Sequence, residues 1–358
     1  MSAANGSETM PVKLVEVIRG PLVECTHRGD IAVVDCQGML RGAAGDPDTV
    51  TYFRSAAKPI QALETVLCGA AGRYGLSDAE LAVICSSHYG EEFHQSAVRS
   101  ILSKIGLDQS ALRCGSPRSI KTEYALEAAR AGFAPGPLFS DCSGKHAGML
   151  TVCRHLGYDT ASYESPDHPL QVSLRRLVAE VCGIDADRIA IGVDGCSVPV
   201  FGLTLRNMAL GYARLADPRG LSVALHDAMT TIFRAMNAHP EMVAGTPGPD
   251  PGSWGFCTEL LRRSGGNLIA KLGAEGVYCV GVRDRGLGIA LKIEDGNSRA
   301  IHPAMLQVLH DLCIISPEQL AALDGFWHKR NRNDHGAVVG DYRTVFTLAT
   351  QQPYPKGT

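Results

Sequence analysis

Ser55 and Lys58 lie three residues apart in Arg54-Ser55-Ala56-Ala57-Lys58-Pro59, a spacing that puts both side chains on one face of a helical turn. A serine hydroxyl is a weak nucleophile until a neighbouring base takes its proton. A lysine becomes such a base when burial or a second cation leaves its amine neutral. Pro59 has no N–H to give to a helix interior, which predicts a helix beginning at about Ser55 to Ala57. The serine would then stand at a helix N-terminus, where unpaired N–H groups favour an oxyanion. The same residues also read as a serine N-cap followed by a solvated lysine. What accompanies them along the chain decides between the two.

Three further stretches carry chemistry. Ser86-Ser87-His88 ends the apolar run Leu81 to Cys85, which reads as a strand delivering polar side chains to a core edge. Lys271-Leu272-Gly273 ends the first strand of a predicted meander. Cys142-Ser143-Gly144-Lys145-His146 and Asp194-Gly195-Cys196 bring two thiols, an amine and an imidazole. Two thiolates suit Zn²⁺, but lysine is a rare ligand that must first lose its proton, and His146 is the more ordinary donor at this spacing. Buried structural thiols are the alternative.

The chain has 358 residues, 45% hydrophobic and 20% charged, the balance of a globular protein with a sizeable core. A net charge of −3 and no basic run longer than Arg-Arg give no footprint for nucleic acid or an anionic membrane surface. Met1 to Met10 lacks the charged and apolar regions of a secretory signal, so the expected address is the cytoplasm. The 12 cysteines contain no Cys-x-x-Cys, which removes ribbon-type zinc and thioredoxin-type readings.

Short strands are predicted over 12–18 and 31–36. Helices follow over about 59–68, 93–105, 121–132, 142–155, 169–181 and 222–237, with a strand over 189–196 running into a turn. Three short strands at 267–272, 277–282 and 288–293 form a meander; two helices and a last strand, Tyr342 to Leu348, close the chain. Pro166-Asp167-His168-Pro169 reads as a helix start capped by Asp167. Asp295-Gly296 reads as a hairpin turn without a function of its own. The expected fold is α+β: one antiparallel sheet from about 11–50 and 267–350, a helical region of about 59–264 inserted between, and the cleft where the two meet. All of 1–358 is expected to be one catalytic domain.

Ser-x-x-Lys, a second serine on a helical insertion and Lys-x-Gly on a strand resemble the layout of the penicillin-recognising serine hydrolases. Here Leu272 replaces the Thr of their Lys-Thr-Gly, and Ser-Asp-Asn is absent around Ser87. A fuller resemblance, to the rhizobial-type L-asparaginases, is carried by seven motifs in order: residues 54–59, 141–146, 166–169, 194–196, 233–245, 271–274 and 292–297. It implies a serine-β-lactamase/glutaminase-like fold, hydrolysis of L-asparagine to L-aspartate and ammonia, and a homodimer. Residue by residue it implies Ser55 as nucleophile with Lys58 as base, and Ser87 with Lys271 as a second Ser–Lys pair facing the first. It further implies zinc held by Cys142, Lys145 and Cys196, with Arg54, Asp194 and Lys145 at the substrate. Only the motif alignment selects Ser87 over Ser86. Glutamine or a β-lactam-like amide is the alternative substrate, since one methylene is worth only about 1–3 kcal/mol to an apolar pocket. A non-catalytic binding protein is the third reading, disfavoured because both Ser–Lys pairs are intact.

Overall fold

The computed structural model describes residues 10–248 and 252–350, so the reading of the first nine residues lies outside the described residues. The larger sheet contains β1 (Val12–Arg19), β2 (Leu22–Asp35), β3 (Leu40–Ala44), β7 (Leu268–Gly273), β8 (Val277–Val282), β9 (Leu287–Ile293), β10 (Arg330–Arg332), β11 (Val338–Thr344) and β12 (Ala349–Thr350). Its order is β10-β11-β1-β2-β9-β8-β7, with β3 also on β2 and β12 on β3. The long β2 joins the two ends of the chain. Its first half pairs with β1, from Leu22 opposite Arg19 to Gly29 opposite Val12. Its second half pairs with β9, from Gly29 opposite Ile293 to Asp35 opposite Leu287. Ile31 to Val34 form an unbroken apolar run because each is fully buried, on whichever face it points. The expected α+β sheet from both chain ends is therefore present.

Helices fill most of 58–263, as expected, but a second sheet, β4-β6-β5, lies among them, built from β4 (Val50–Tyr52), β5 (Ala190–Val193) and β6 (Pro199–Thr204). Val50, the last residue that the sequence reading gave to the main sheet, thus belongs to the smaller one. The run Leu81 to Cys85 is not a strand but most of a helix, Asp78–Ile84, opened by a capping box between Ser77 and Glu80. Burial of Glu80 to Ile84 on every side erased the helical period that would have distinguished it. His168, not Asp167, caps the helix Pro169–Cys182: its Nδ1 accepts from Leu170 N at 3.2 Å and its ring is buried. The last long strand begins at Val338, four residues before the expected start. The helix Leu205–Ala216 packs on β2, β8 and β9, and its Tyr212 hydroxyl donates to Ala56 O at 2.7 Å, tying the core to the turn that carries Ser55. Among the described residues no helix is long and apolar enough to cross a membrane.

Candidate active site

β4 hands the chain to a tight turn, Arg54–Ala57, which runs directly into the helix Lys58–Leu67. Phe53 N anchors this turn by donating to Phe201 O on β6 at 2.8 Å. Arg54 has φ 51°, a left-handed conformation that is uncommon outside glycine and tends to persist where the surroundings enforce it. Lys58, the first residue of the α-helix, is 1% exposed. Its amine donates to Ser86 O at 2.7 Å, Ser87 Oγ at 3.0 Å and Asp141 O at 3.3 Å, with the Asp141 carboxylate 3.7 Å away. None of these bonds goes to the Ser55 hydroxyl, so the contact expected within Ser-x-x-Lys is replaced by one to the second serine.

Lys271, in β7, approaches from the other side. Its amine lies 2.8 Å from Ser87 Oγ and donates to Leu272 O at 2.7 Å. Ser87 Oγ therefore sits between two buried amines, so the lysines of both expected Ser–Lys pairs meet at this one oxygen, without Ser55. Burial pulls the Lys58 amine down, but the nearby Cys142 and Asp141, with Cys196, outweigh it and the net shift is upward. Burial also lowers Lys271, and the facing Lys58 cation lowers it further, to about 8.

Ser87 is held by what flanks it. Its N–H donates to Val243 O at 3.1 Å, while Ser86 Oγ turns back to Val83 O at 2.7 Å, which separates the two serines by role. His88 Nδ1 accepts from Gly90 N at 3.0 Å, so its Nε2 carries the hydrogen and donates to Ser143 Oγ at 2.9 Å. Burial lowers this imidazole well below its usual pKa and keeps it neutral. Ser143 begins the helix Ser143–Leu156, which packs so closely on Asp78–Ile84 that a Cβ at Gly144 would lie 2.0 Å from Val83 O. That contact sets Cys142 and Lys145 near Lys58.

Lys145 Nζ donates to Cys196 Sγ at 2.9 Å. The Cys196 thiol is strongly lowered by its hydrogen bond with Cys142 and by Lys145, while Cys142 is raised by the same bond and by burial. His146 Nδ1 accepts from the Tyr163 hydroxyl at 2.7 Å, since that oxygen already takes the Arg113 N–H, and its buried Nε2 has no hydrogen-bond partner. Two thiols and an imidazole nitrogen are donors of the kind that suits Zn²⁺, whereas the Lys145 amine, held protonated by Cys196 and Cys142, becomes one only on losing its proton. Among the described residues no group of three His, Cys, Asp or Glu is arranged to hold a metal, so the lysine would have to supply a ligand. Arg54 and Asp194 are brought together, with Arg54 Nε 3.1 Å from Asp194 Oδ1.

A cavity of about 110 Å³ opens on Ser87 and Lys271 and is walled by Tyr89, Trp254, Phe256 and Tyr278. A groove of about 1240 Å³ lies elsewhere, between Ser264 and Thr350, and none of the site residues lines it, so size does not identify the site. Sequence reasoning missed Asp141, the partner of Lys58, although it begins the Asp-Cys-Ser-Gly-Lys-His motif. It also missed the buried Glu91 and Lys121 and the exposed Thr246, which neighbour the cavity-lining Tyr89, Ile120 and Ala244 along the chain: Lys121 Nζ is 3.3 Å from Glu91 Oε1 and donates to Thr246 Oγ1 at 2.9 Å. No local spacing links those three residues.

No curated protein matches the sequence. Among solved structures the chain is similar to Mglu in its native form, at 13% identity and TM-score 0.37, covering 80% of this chain and 65% of that one. It is similar to a β-lactamase from Mycobacterium bovis at 14% identity and TM-score 0.37, covering 83% of this chain and 93% of that one. A β-lactamase/D-alanine carboxypeptidase from Pseudomonas syringae aligns at 11% identity and TM-score 0.41, over 79% and 93% of the two chains. Superpositions this loose say nothing of chemistry. A family model described as L-asparaginase II matches residues 15–344. On that match the chain belongs to the L-asparaginase II family and is an amidohydrolase acting on amide C–N bonds.

Proposed function

We propose that the protein hydrolyses the side-chain amide of L-asparagine through a seryl acyl-enzyme, in the manner of the rhizobial-type L-asparaginases. One observation carries the mechanism: the line Lys58 Nζ, Ser87 Oγ, Lys271 Nζ, with spacings of 3.0 and 2.8 Å. Lys58 is favoured as the cation and Lys271 as the amine that can be neutral. A proton passing from Lys58 through the Ser87 hydroxyl to Lys271 leaves Lys58 neutral. Lys58 then takes the proton of Ser55, three residues back, as that oxygen attacks the amide carbon. Lys271, now charged, returns the proton by the same path for the departing ammonia. Water in place of the first nucleophile repeats the sequence and frees aspartate.

Arg54, Asp194 and Lys145 are proposed to receive the charged ends of the substrate. Cys142, Lys145 and Cys196 are proposed to hold zinc, which when bound supplies a fixed positive charge that orients substrate. Lys145 must give up its proton to serve as a ligand, so zinc uptake at this site releases protons. The whole chain acts as one catalytic domain, in a cytoplasmic homodimer.

A second reading makes Ser87 the nucleophile. It is favoured by the position of Ser87 Oγ, which is hydrogen-bonded to both amines and lines the cavity, whereas Ser55 Oγ has no bond to Lys58. Acid quenching during turnover of asparagine, followed by peptide mass spectrometry, separates the two. An aspartyl ester on the peptide containing Ser55 is expected; an ester on Ser87 would transfer the nucleophile role, and no ester on either serine would remove the acyl-enzyme.

A further inference from the structure

Outside this site, Cys25, His27, Asp295 and Arg299 form a second cluster of reactive side chains. Its hydrogen bonds run in one direction. Arg299 Nε donates to His27 Nε2 at 2.7 Å, which requires the imidazole hydrogen to be on Nδ1. That Nδ1–H is given to Asp295 Oδ2 at 2.7 Å. His27 is 1% exposed, so this arrangement is fixed inside the protein and not a passing surface contact. Held in plane by His27, the guanidinium aims Nη2 at Cys25 Sγ, 2.9 Å away, while His27 Nε2 lies 3.8 Å from the same sulfur. The turn at Asp295 is not the expected hairpin, since it leads from β9 into the helix Ile301–Asp311, and its carboxylate sets the tautomer that orients the arginine.

Four of the cysteines are half-buried, Cys25, Cys36, Cys68 and Cys313, and the other eight are buried. Only Cys25 among the four has a cation hydrogen-bonded to sulfur. Cys36 faces the Asp217 carboxylate at 3.9 Å, and burial with that charge pushes its thiol up. Cys68 points at Thr65 O at 4.0 Å, and burial raises it as well. Cys313 has no side-chain hydrogen bond among the described residues. A thiolate is the nucleophilic form of cysteine, and thiolates are selected by nearby cations together with partial exposure.

We propose that Cys25 is a hydroperoxide-reactive thiol, a modification site built by the Asp295–His27–Arg299 chain. The sulfur, having lost its proton to solvent, attacks the terminal oxygen of a hydroperoxide. An S–O bond forms, the O–O bond breaks, and the leaving alkoxide or hydroxide takes a proton from water. Sulfur loses two electrons and the peroxide gains two, giving a sulfenic acid and an alcohol or water. The Arg299 guanidinium balances the charge on sulfur before attack and orients it toward solvent-borne oxidant. Arg299 itself follows Ser298 and precedes His302, both of which line the cavity beside Ser87, so the thiol is joined to the wall of the substrate cavity by a few residues of chain.

The test uses the full chain, low hydrogen peroxide, and dimedone to trap sulfenic acid, with mass spectrometry of every cysteine peptide. Labelling at Cys25 is expected to be at least tenfold faster than at Cys36, Cys68 or Cys313. Arg299→Met should bring Cys25 down to their rate while leaving labelling at Cys36 unchanged. Should that variant fail to fold, Asp295→Asn is the alternative, because its half-exposed side chain can be changed without opening the core; it should slow Cys25 several-fold. Labelling at Cys25 no faster than at the other three, or unaffected by either substitution, would overturn the proposal.

Discussion

At the scale of single residues, the two lysines differ although both are buried. Lys58 has the Asp141 carboxylate at 3.7 Å, whereas among the described residues Lys271 has no carboxylate within 4 Å, so a proton between them favours Lys58. The residue types and order of both Ser–Lys pairs were legible in the sequence. Which amine is neutral was not, because that depends on Asp141 and on two segments more than 180 residues apart meeting at one hydroxyl. Since the path needs one of the two amines neutral, kcat/KM should rise with pH through an inflection near 8, read by ammonia release across pH 6–9.5. Lys271→Met should cost about 10²–10⁴-fold in kcat, the usual range for loss of a positioned base, with little change in KM. Its effect on stability has a definite sign. The folded pKa of about 8 lies below the ordinary 10.5, so between those values the unfolded chain binds the extra proton and stability rises with pH. Below about 8 the full deficit applies, of order 3 kcal/mol at about 1.4 kcal/mol per pKa unit. Urea titrations should therefore show Lys271→Met stabilised over the wild type at pH 7, with the gap closing toward pH 10; a gap independent of pH would contradict the depressed amine.

At the scale of elements, the site depends on how the helix Ser143–Leu156 lies on the helix Asp78–Ile84. Gly144 faces a backbone carbonyl at 2.0 Å from its absent Cβ, while Gly148 faces the Ile84 side chain at 2.6 Å. A carbonyl inside a helix cannot move aside, whereas a side chain can turn. Gly144→Ala should therefore destabilise by about 2–3 kcal/mol and lower turnover by displacing Ser86–Ser87 from Lys58, and Gly148→Ala should cost about 1 kcal/mol with turnover kept. Thermal melts and kcat on both variants check this ordering; equal effects would mean the helix contact does not position the serines. The short helix Asp78–Ile84 was read as a strand because burial on all sides left no period to see. Its capping box at Ser77 and Glu80 was the signal that could have corrected it. Of the small β4-β6-β5 sheet only β5 was read, within the strand expected over 189–196; β4 and β6 were missed because strands of 3 and 6 residues inside a helical region leave little alternation to read.

At the scale of the whole molecule, the α+β sheet from the two chain ends was legible because the meander β7–β8–β9 carries clear turn signals and β2 an unbroken apolar run. The pairing of β2 with β9, which closes the sheet, joins residues more than 250 apart and has no local signature. Light scattering in solution should give twice the 38.1 kDa chain mass; the single-chain value would remove the dimer. Zinc content should be close to one per chain and should fall to background in Cys196→Ser. The most direct measurement is ammonia release by the purified chain from L-asparagine and L-glutamine in parallel, with Ser55→Ala as the blank. Release from asparagine, little from glutamine and none in the blank is the expected result. Release from glutamine alone, or full activity in Ser55→Ala, would contradict the proposed asparagine hydrolysis at Ser55.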